Sequence, residues 1–331
     1  METKRPTSPA AEEILGRYYP VLDHGFVALV DYMGSDESIE RAARVSYGYG
    51  TRRGSQTRGL IRYLRRHRHT TPSEMVELKF HCCMPMFVAR QWIRHRTANV
   101  NEYSGRYSLI PLLFYTPEPE HFALQSAQNN QGRSTEAASA TLYAEATARW
   151  QRLRAEAAET YAWLVAEDVA RELARIELPV STYTQWYWKI DLHNLLHFLT
   201  LRVDAHAQLE IRAYGEVIAA MVKRVAPLTY EAWIDYDVAG THLSAGELAA
   251  LRALVDVDDS ALRPRAGATP LGAEQLAGHG LAPREARELL AKLQPRGRPD
   301  FELDLSRMQS AEEVERRMQQ AVPRVDRQPA E

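Results

Sequence analysis

Apolar residues along this chain recur with two different periods, which separate short strands from longer helices. The run FVALVDYM, from Phe26 to Met33, is almost wholly apolar and is followed by Gly34, which predicts a short buried strand. The run MVELKFHC, residues 75–82, alternates with period two, which predicts a second strand. The inner face of that strand would hold Val76, Leu78, Phe80 and Cys82.

Longer segments repeat their apolar residues every three or four positions and predict helices. Ser35 or Asp36 is expected to cap a helix that continues to about residue 45. Another helix is expected at residues 86–94, with Arg90, Gln91 and Arg94 on one face. Further helices are predicted at about residues 58–67, 134–176 (one helix or two), 191–203 and 207–225.

These elements favour one α+β domain with a mixed or antiparallel sheet and long helices over a familiar layered fold. At 331 residues the chain can bury a large core. Residues 1–13 are predicted to be a mobile tail and residues 14–239 the main domain. Residues 240–331 are rich in Ala, Leu, Glu and Arg and predict a helical extension with a disordered end after Pro323.

The charge of the chain is nearly balanced overall but strongly uneven locally. A net charge of −2 argues against generic binding of polyanions. Residues 41–73 nevertheless contain no Asp or Glu and nine arginines. Two interpretations are open: a field that steers an anionic substrate, which is favoured, and a nucleic-acid-binding surface along Arg41–Arg68.

The two cysteines, Cys82 and Cys83, are adjacent, a geometry that rarely allows a disulfide between them. The N-terminal residues do not resemble a signal peptide, and no apolar run reaches the roughly 18 residues that span a bilayer. We therefore expect a cytoplasmic protein without membrane contact.

Several standard motifs are absent. Gly48, Gly50 and Gly54 have the wrong spacing for a dinucleotide fingerprint, no acidic residue follows about 20 residues later, and there is no P-loop. Two histidines four apart, His193 and His197, superficially resemble metal ligands together with the downstream Asp204 and His206. Hydrogen bonding at a helix surface is the stronger interpretation, so we predict no metal.

Nucleophilic candidates are weak as well. Ser104 lacks the G-x-S-x-G elbow, and its nearest charged neighbours in sequence are Glu102 and Arg106, so hydrogen bonding to a phosphate is favoured over attack. Cys82 and Cys83 lie in a strand pattern, where a small buried residue is the usual role.

Arginines beside apolar sequence are the strongest functional signal. Residues 94–106 read RHRTANVNEYSGR, and guanidinium groups so placed usually hold phosphate or carboxylate oxygens. Arg202 follows LLHFLTL on an apolar helix face, so it must bind an anion or pair with a buried carboxylate, and the pattern leaves both open. For Arg171 and Arg175, one turn apart at a helix end, a solvated face is favoured.

The segment 94–106 fits RHR-x7-S and, with other blocks, resembles the flavin-dependent thymidylate synthases, the ThyX family. The other blocks occur in that family's order and cover about residues 26–236. They are DYMGSD, AARVSYG, HTTPSEMVELKF, RELARIELP, WKIDLHNLLHFLTLR and DAHAQLEIR. The resemblance implies that residues 14–239 form the catalytic domain of a methyltransferase of thymidylate (dTMP) biosynthesis.

That resemblance also implies a cofactor, substrates and site residues. NADPH would reduce FAD, 5,10-methylenetetrahydrofolate would donate the one-carbon unit, and the substrate would be deoxyuridine monophosphate (dUMP). The implied FAD contacts are His69, Thr71, Arg94, His95, Arg96, Glu102, Asp191, Leu192, His193 and His197. The implied dUMP contacts are Gln91, Trp92, Ile93 and Arg94 of one subunit and Glu102, Tyr103, Ser104, Gly105, Arg106 and Arg175 of another.

The resemblance further implies that Arg202 lies against the uracil and stabilises negative charge that develops on it. Ser104 would then hold the phosphate. Sites built from two subunits require an oligomer, and the family implies a homotetramer.

Overall fold

A computed structural model describes residues 5–45, 57–127, 132–257, 262–295 and 297–324. Within these ranges no helix is both long enough and apolar enough to cross a membrane. The chain forms two compact units, Met1–Ala232 with Asp300–Glu331, and Trp233–Pro299. The predicted extension of residues 240–331 is therefore divided, because the chain returns to the first unit at Asp300.

The strands are short, as their apolar runs predict. In chain order they are β1 (Tyr18–Val21), β2 (Gly25–Met33), β3 (Glu77–Pro85), β4 (Asn99–Glu102), β5 (Ala123–Gln125), β6 (Arg133–Ala137), β7 (Tyr183–Asp191), β8 (Val255–Val257) and β9 (Leu262–Pro264). Strands β2 and β3 confirm the two sequence predictions.

The helices range from a single turn to seven turns. In chain order they are α1 (Pro9–Glu12), α2 (Asp36–Val45), α3 (Thr57–Arg66), α4 (Thr71–Glu74), α5 (Met86–Trp92), α6 (Ala140–Ala166), α7 (Arg171–Ala174), α8 (Leu192–Arg202), α9 (Leu209–Val225), α10 (Pro227–Trp233), α11 (Ala245–Arg252), α12 (Ala273–Gly278), α13 (Pro283–Lys292) and α14 (Ala311–Gln320). Short 3₁₀ turns occur at Pro119–His121 and Leu305–Arg307, and a π-helical turn at Ile234–Val238.

A five-stranded sheet with the order β1-β2-β3-β7-β4 forms the centre of the first unit, and each neighbouring pair is antiparallel. This confirms the α+β prediction. Helices α5, α8 and α9 pack against the sheet. Helix α9 is buried almost all round, and its Tyr214 hydroxyl donates to the Cys83 carbonyl at 2.8 Å.

Close packing explains one glycine. A Cβ at Gly25 would overlap the Tyr214 hydroxyl and lie 2.7 Å from the backbone oxygens of Val21 and Cys83. Glycine therefore lets the β1–β2 hairpin approach α9.

Three sequence predictions need correction. The helix after Pro85 ends at Trp92, before Arg94, because the chain turns there into β4. The helix predicted from residue 134 begins only at Ala140, because residues 133–137 pair with β5 as strand β6. Of the two predicted caps, Ser35 and Asp36, the second is excluded, because α2 begins at Asp36 and the Asp36 carboxylate accepts hydrogen bonds from the backbone N–H groups of Leu228 and Thr229 at the start of α10.

Both ends of the described chain join the first unit. Within the predicted N-terminal tail, Ser8 Oγ donates to the Arg224 carbonyl at 2.5 Å and Glu13 pairs with Arg224 at 3.0 Å. At the other end, α14 buries Val314 and Met318 in the core cluster that contains Phe26. The predicted disordered end after Pro323 lies almost wholly outside the described residues.

The second unit, residues 233–299, has a small core of its own. Hairpin β8–β9 and helices α11–α13 belong to it, and Lys292 pairs with the buried Glu247 at 2.7 Å. Its core residues are Ala250, Leu276, Leu281, Ala286 and Leu289.

Candidate active site

The segment between α5 and β4 carries the predicted cations Arg94, His95 and Arg96. Because α5 ends at Trp92, these residues lie in a connection rather than on a helix face. The connection turns back at once, since the His95 N–H donates to the Trp92 carbonyl at 3.0 Å. Strand β4 then pairs with β7 at the edge of the sheet. The cations are therefore held between a packed helix and a sheet edge.

Trp92 fixes this connection in the core. Its side chain is 1 % exposed and its ring lies 5.1 Å from Phe198 and 5.0 Å from Trp188. The ring contact with Tyr214 of α9 is 5.8 Å. Trp92, predicted as a substrate contact, thus packs in the core, whereas the next residue, Ile93, is exposed.

The centre of the candidate site is a pair formed by His95 and Arg202. Arg202 Nε and Nη2 lie 3.1 and 3.0 Å from His95 Nε2. A guanidinium can only donate, so His95 Nε2 must be the unprotonated acceptor and the ring must be neutral with its proton on Nδ1. Burial, then the charge of Arg202 and the nearby His197, lower the pKa of His95 to about 4.

Arg202 is the last residue of α8. Its sequence pattern left open whether it binds an anion or pairs with a buried carboxylate. No carboxylate among the described residues pairs with it, and its half-buried position lowers its pKa through desolvation. Its backbone lies close to Gly215 of α9, where a Cβ would be 3.3 Å from the Arg202 carbonyl carbon. The backbone of Arg202 is therefore packed against α9, and its guanidinium is paired only with a neutral ring in the described structure.

The opposite end of α8 carries more of the predicted flavin contacts. Asp191 caps the helix, accepting from the Asn194 backbone N–H at 3.0 Å, and Leu192 is fully buried. Unlike Asp191, which is hydrogen-bonded, His193 has a buried Nδ1 atom that lacks a hydrogen-bond partner among the described residues. His197 is exposed, with its ring 6.4 Å from that of His95.

A cavity of about 740 Å³ opens beside α4, the helix that packs against α8. His69 and Thr71, both predicted flavin contacts, line it. The Tyr63 ring stacks on that of His69, with the ring centres 6.0 Å apart and the planes inclined by 26°. The cavity therefore combines two rings with the hydroxyl of Thr71.

A second cluster gathers the predicted phosphate-binding residues after β4. A Cβ at Gly105 would lie 3.1 Å from Arg175 Cδ, so the Arg175 stem packs against bare backbone. Arg106 pairs with Glu172 at 2.9 Å, and the Ser104 hydroxyl accepts from the Arg106 backbone N–H at 3.3 Å.

Neighbours of this cluster are also fixed by hydrogen bonds. Thr184 donates to Glu102 at 2.7 Å, and the Tyr103 hydroxyl donates to the Leu109 carbonyl at 2.6 Å. The described hydrogen bonds and ion pairs give Ser104 no histidine or carboxylate to take its proton. The structure therefore brings Gly105, Arg106 and Arg175 together, but no described contact joins them to the His95–Arg202 pair.

Other candidates are less suited to chemistry. Both cysteines are fully buried, and burial raises the pKa of Cys83 to about 12 and that of Cys82 well above its ordinary value. In the described parts of the chain no three histidine, cysteine or carboxylate side chains form a possible metal site. The glycine-rich stretch at residues 48–54 lies outside the described residues.

Several described arginines of the basic segment of residues 41–68 pair with carboxylates from outside it. Arg44 pairs with Glu40 at 2.8 Å, while Arg58 and Arg62 pair with Glu231 at 2.5 and 3.5 Å. The local lack of acidic residues is thus partly compensated in three dimensions. The nucleic-acid-binding alternative is not supported, since the relatives given below are thymidylate synthases and nucleotide methylases.

Sequence reasoning missed a buried carboxylate beside the predicted substrate contact Gln91. Gln91 donates to Gln208, and Gln208 Nε2 donates to Glu210 Oε2 at 2.7 Å. Glu210 is 3 % exposed and receives two bonds from Arg133. A signal was present, since Glu210 precedes Tyr214 and Ile218 at intervals of four on the buried face of α9.

Comparison with known proteins gives a consistent picture. The family model described as "Thymidylate synthase complementing protein" matches residues 28–228. A flavin-dependent thymidylate synthase of Ruegeria pomeroyi is 53% identical over 261 residues, covering 76% of this chain and 85% of the relative. Another, of Treponema denticola, is 50% identical over 249 residues, covering 75% and 94%.

Solved structures agree with these sequence relatives. The UMP/dUMP methylase PolB from Streptomyces cacaoi, bound with 5-Br UMP, matches with a TM-score of 0.60 and 33% identity, covering 66% of this chain and 98% of that one. The same enzyme bound with 5-Br dUMP matches with a TM-score of 0.59 and 32% identity over the same shares.

Proposed function

The chain belongs to the flavin-dependent thymidylate synthases, which are methyltransferases, and from this premise we propose that it converts dUMP to dTMP. We further propose that the flavin is FAD, that NADPH reduces it, and that 5,10-methylenetetrahydrofolate is the one-carbon donor. The names of the relatives and the nucleotide-bound methylase structures support the nucleotide substrate.

The pairing of Arg202 with neutral His95 carries the proposal. A half-buried guanidinium normally has a carboxylate partner, and here the described partner is an uncharged ring. Arg202 therefore keeps its full positive charge available for an anion. A uracil ring that gains negative charge during the reaction would supply one, and such stabilisation in a site that excludes water is worth about 3 kcal/mol.

The residues around α4 and α8 fit a flavin. The buried Nδ1 of His193 lacks a partner, and the cavity beside His69 is large enough to take a planar ring system. Arg94 and Arg96 are exposed, and neither pairs with a carboxylate within the described ranges, so both can meet a pyrophosphate. When bound, the flavin supplies the hydride. The residues we assign to it are His69, Thr71, Arg94, His95, Arg96, Glu102, Asp191, Leu192, His193 and His197.

The second cluster suits the nucleotide phosphate. The Ser104 hydroxyl adjoins Gly105 in sequence, and the stem of Arg175 packs on Gly105, where a side chain would collide with Ile110 and Arg175. Because no described contact joins this cluster to Arg202, we propose that each site combines the two clusters from different subunits of a homotetramer. The side chain of Trp92 is buried in the core, so the residues we assign to dUMP are Gln91, Ile93, Arg94, Glu102, Tyr103, Ser104, Gly105, Arg106, Arg175 and Arg202.

A reducing compartment is consistent with the two free, buried cysteines. We therefore propose that the enzyme works in the cytoplasm, where NADPH would be its reductant.

The test begins with the colour of the purified full-length protein. We expect oxidised-flavin absorbance that NADPH bleaches, and dTMP formation from dUMP and 5,10-methylenetetrahydrofolate. Arg202→Ala should retain flavin and lose nearly all dTMP formation, because the pair with His95 leaves no other cation at that position. Arg284→Ala, which changes an exposed side chain of α13, is the matched control and should retain activity.

Two results would contradict the proposal. One is a flavin-bound protein that makes no dTMP with all substrates present. The other is full activity of Arg202→Ala.

A further inference from the structure

Glu210 is a buried carboxylate to which the proposed reaction gives no role. It lies in the first turn of α9, and its side chain is 3 % exposed. Oε1 accepts from Arg133 at 2.7 Å and from the Tyr115 hydroxyl at 3.1 Å. Oε2 accepts from Arg133 at 2.9 Å and from Gln208 at 2.7 Å. A group so fully satisfied holds its neighbours in one arrangement.

The charge of Glu210 decides which way its neighbours point. Burial alone would raise the pKa of Glu210, but the hydrogen bonds and charge of Arg133, the backbone N–H and Gln208 outweigh it, so the pKa lies below its ordinary value. The helix N-terminus also favours a negative charge. Glu210 is therefore ionised at neutral pH and can only accept hydrogen bonds.

The charge of Glu210 fixes the orientation of two side-chain amides, first that of Gln208 and then that of Gln91. Since Glu210 only accepts, Gln208 must direct its NH₂ group inward, which turns its carbonyl oxygen towards Gln91. Gln91 then donates its own NH₂ group to that oxygen. The carbonyl oxygen of Gln91 takes no part in this chain of bonds and is left as a hydrogen-bond acceptor.

Helix α9 connects this chain of bonds with the His95–Arg202 pair. Gln208 is its N-cap residue, and Gly215 lies against Arg202. Gln91 itself is near the end of α5, one turn before His95. One helix thus fixes both the amide of Gln91 and the backbone of Arg202.

We propose that Glu210 is a positioning residue that acts through Gln208 to hold the Gln91 amide with its carbonyl oxygen towards the nucleotide. This inference rests on the proposed function, in which Gln91 contacts dUMP. Two donors of dUMP suit a fixed acceptor: the uracil N3–H and the ribose 3′-hydroxyl. Cytosine has an acceptor at N3, so an acceptor that meets the N3 position also disfavours dCMP.

The test replaces the carboxylate by an isosteric amide that can donate. In Glu210→Gln the NH₂ group can face Gln208, reverse both amides and direct the Gln91 NH₂ group at the ligand. We expect the Kd and KM for dUMP to rise about tenfold to a hundredfold, which corresponds to about 1.4–2.7 kcal/mol. The kcat at saturating dUMP and the flavin content should change less than about threefold. The matched control is Glu216→Gln on the same helix, whose carboxylate lies 3.7 Å from Arg212; its Kd should stay within about twofold.

Two analogues of dUMP identify which of its donors meets the carbonyl oxygen of Gln91. N3-methyl-dUMP lacks the N3–H and 2′,3′-dideoxyuridine monophosphate lacks the 3′-hydroxyl. The analogue without the relevant donor should bind more weakly than dUMP to the wild type, and this difference should disappear in Glu210→Gln. A loss confined to the thermal midpoint, with unchanged Kd, would mean that Glu210 is structural only and would overturn the proposal.

A second variant keeps the test decisive if Glu210→Gln does not fold. Gln208 is exposed, and Gln208→Met leaves the Glu210–Arg133 pair intact. Because it interrupts the hydrogen bonds that link Glu210 to Gln91, it should raise the Kd for dUMP by a similar factor. Where Glu210→Gln does fold, adding it to Gln208→Met should have no further effect on Kd, since coupled residues are not additive. An unchanged Kd in Gln208→Met would overturn the proposal. Failure of the wild type to bind dUMP or flavin would instead refute the proposed function.

Discussion

Replacement of Arg202 by methionine is expected to raise the pKa of His95. Methionine retains much of the arginine stem but removes the charge 3.0 Å from Nε2. Burial is the largest cause that lowers the pKa of His95, followed by Arg202 and then His197. Removing the second cause should therefore move the pKa from about 4 part of the way back to its ordinary value of 6.5. The ring should then titrate at a mildly acidic pH.

The same pair predicts how stability depends on pH. Below pH 6.5 the unfolded chain binds a proton at His95 and the folded chain does not, so the free energy of unfolding falls until about pH 4. The full difference between these pKa values corresponds to about 3 kcal/mol. Solvent screening around the partly exposed ring reduces this to about 1–2 kcal/mol. His95→Gln, which keeps an acceptor but does not titrate, should lack this part of the pH dependence.

NMR of ¹⁵N-histidine-labelled, flavin-free full-length protein measures the pKa directly, and the His95 signal is assigned by its loss in His95→Gln. Urea unfolding at pH 7.5 and pH 5 compares the stabilities. A wild-type pKa near 6.5 for His95 would refute the neutral acceptor. An unchanged pKa of about 4 in Arg202→Met would refute the contribution of the arginine.

The remaining predictions concern four other residues. Ser104→Ala should weaken dUMP binding yet retain measurable turnover, and complete loss of turnover with intact binding would restore Ser104 as a nucleophile. Replacing both Cys82 and Cys83 by alanine should leave turnover within about tenfold, because burial keeps both thiols protonated; an inactive, flavin-bound protein would contradict this. Gly25→Ala should destabilise the fold by more than about 2 kcal/mol, since its methyl group would overlap the Tyr214 hydroxyl, and an unchanged thermal midpoint would contradict it.

Much of the fold follows from local pattern, and α8 shows why. Asp191 precedes an apolar run that ends at Arg202, and in the structure Asp191 is the N-cap of the helix and Arg202 its last residue. The capping residue, the apolar periodicity and the basic residue at the end of the helix all lie within twelve residues. No distant partner is therefore needed to define the helix. The same holds for β2, a short apolar run bounded by Gly34.

Strand β7 was missed although its sequence carries a signal. Buried Thr184, Trp186, Trp188 and Ile190 alternate with less buried neighbours, as in a strand covered on one face. Strand β4 is different, because its four residues are all exposed. Its conformation depends on backbone hydrogen bonds to β7, a non-local partner that no pattern within NVNE encodes.

The site was predictable as a set of residue types but not as an arrangement. The local sequence could not decide whether Arg202 meets an anion or a carboxylate, because its neighbour His95 lies 107 positions away. Glu210 and Arg133, 77 positions apart, illustrate the same limit. Side-chain partners over such separations are fixed by topology, which short-range periodicity does not contain.

The arginine-rich stretch 94–106 can be divided on purely geometric grounds. Its two charged ends are separated by β4, whose four paired residues extend over about 13 Å. Because the strand is held against β7, the ends cannot fold together around one phosphate. His95 at one end is engaged by Arg202 and Arg106 at the other by Glu172, so each end belongs to a different cluster. One stretch therefore contributes to two separate clusters, as the proposed two ligands and the proposed sites shared between subunits would require.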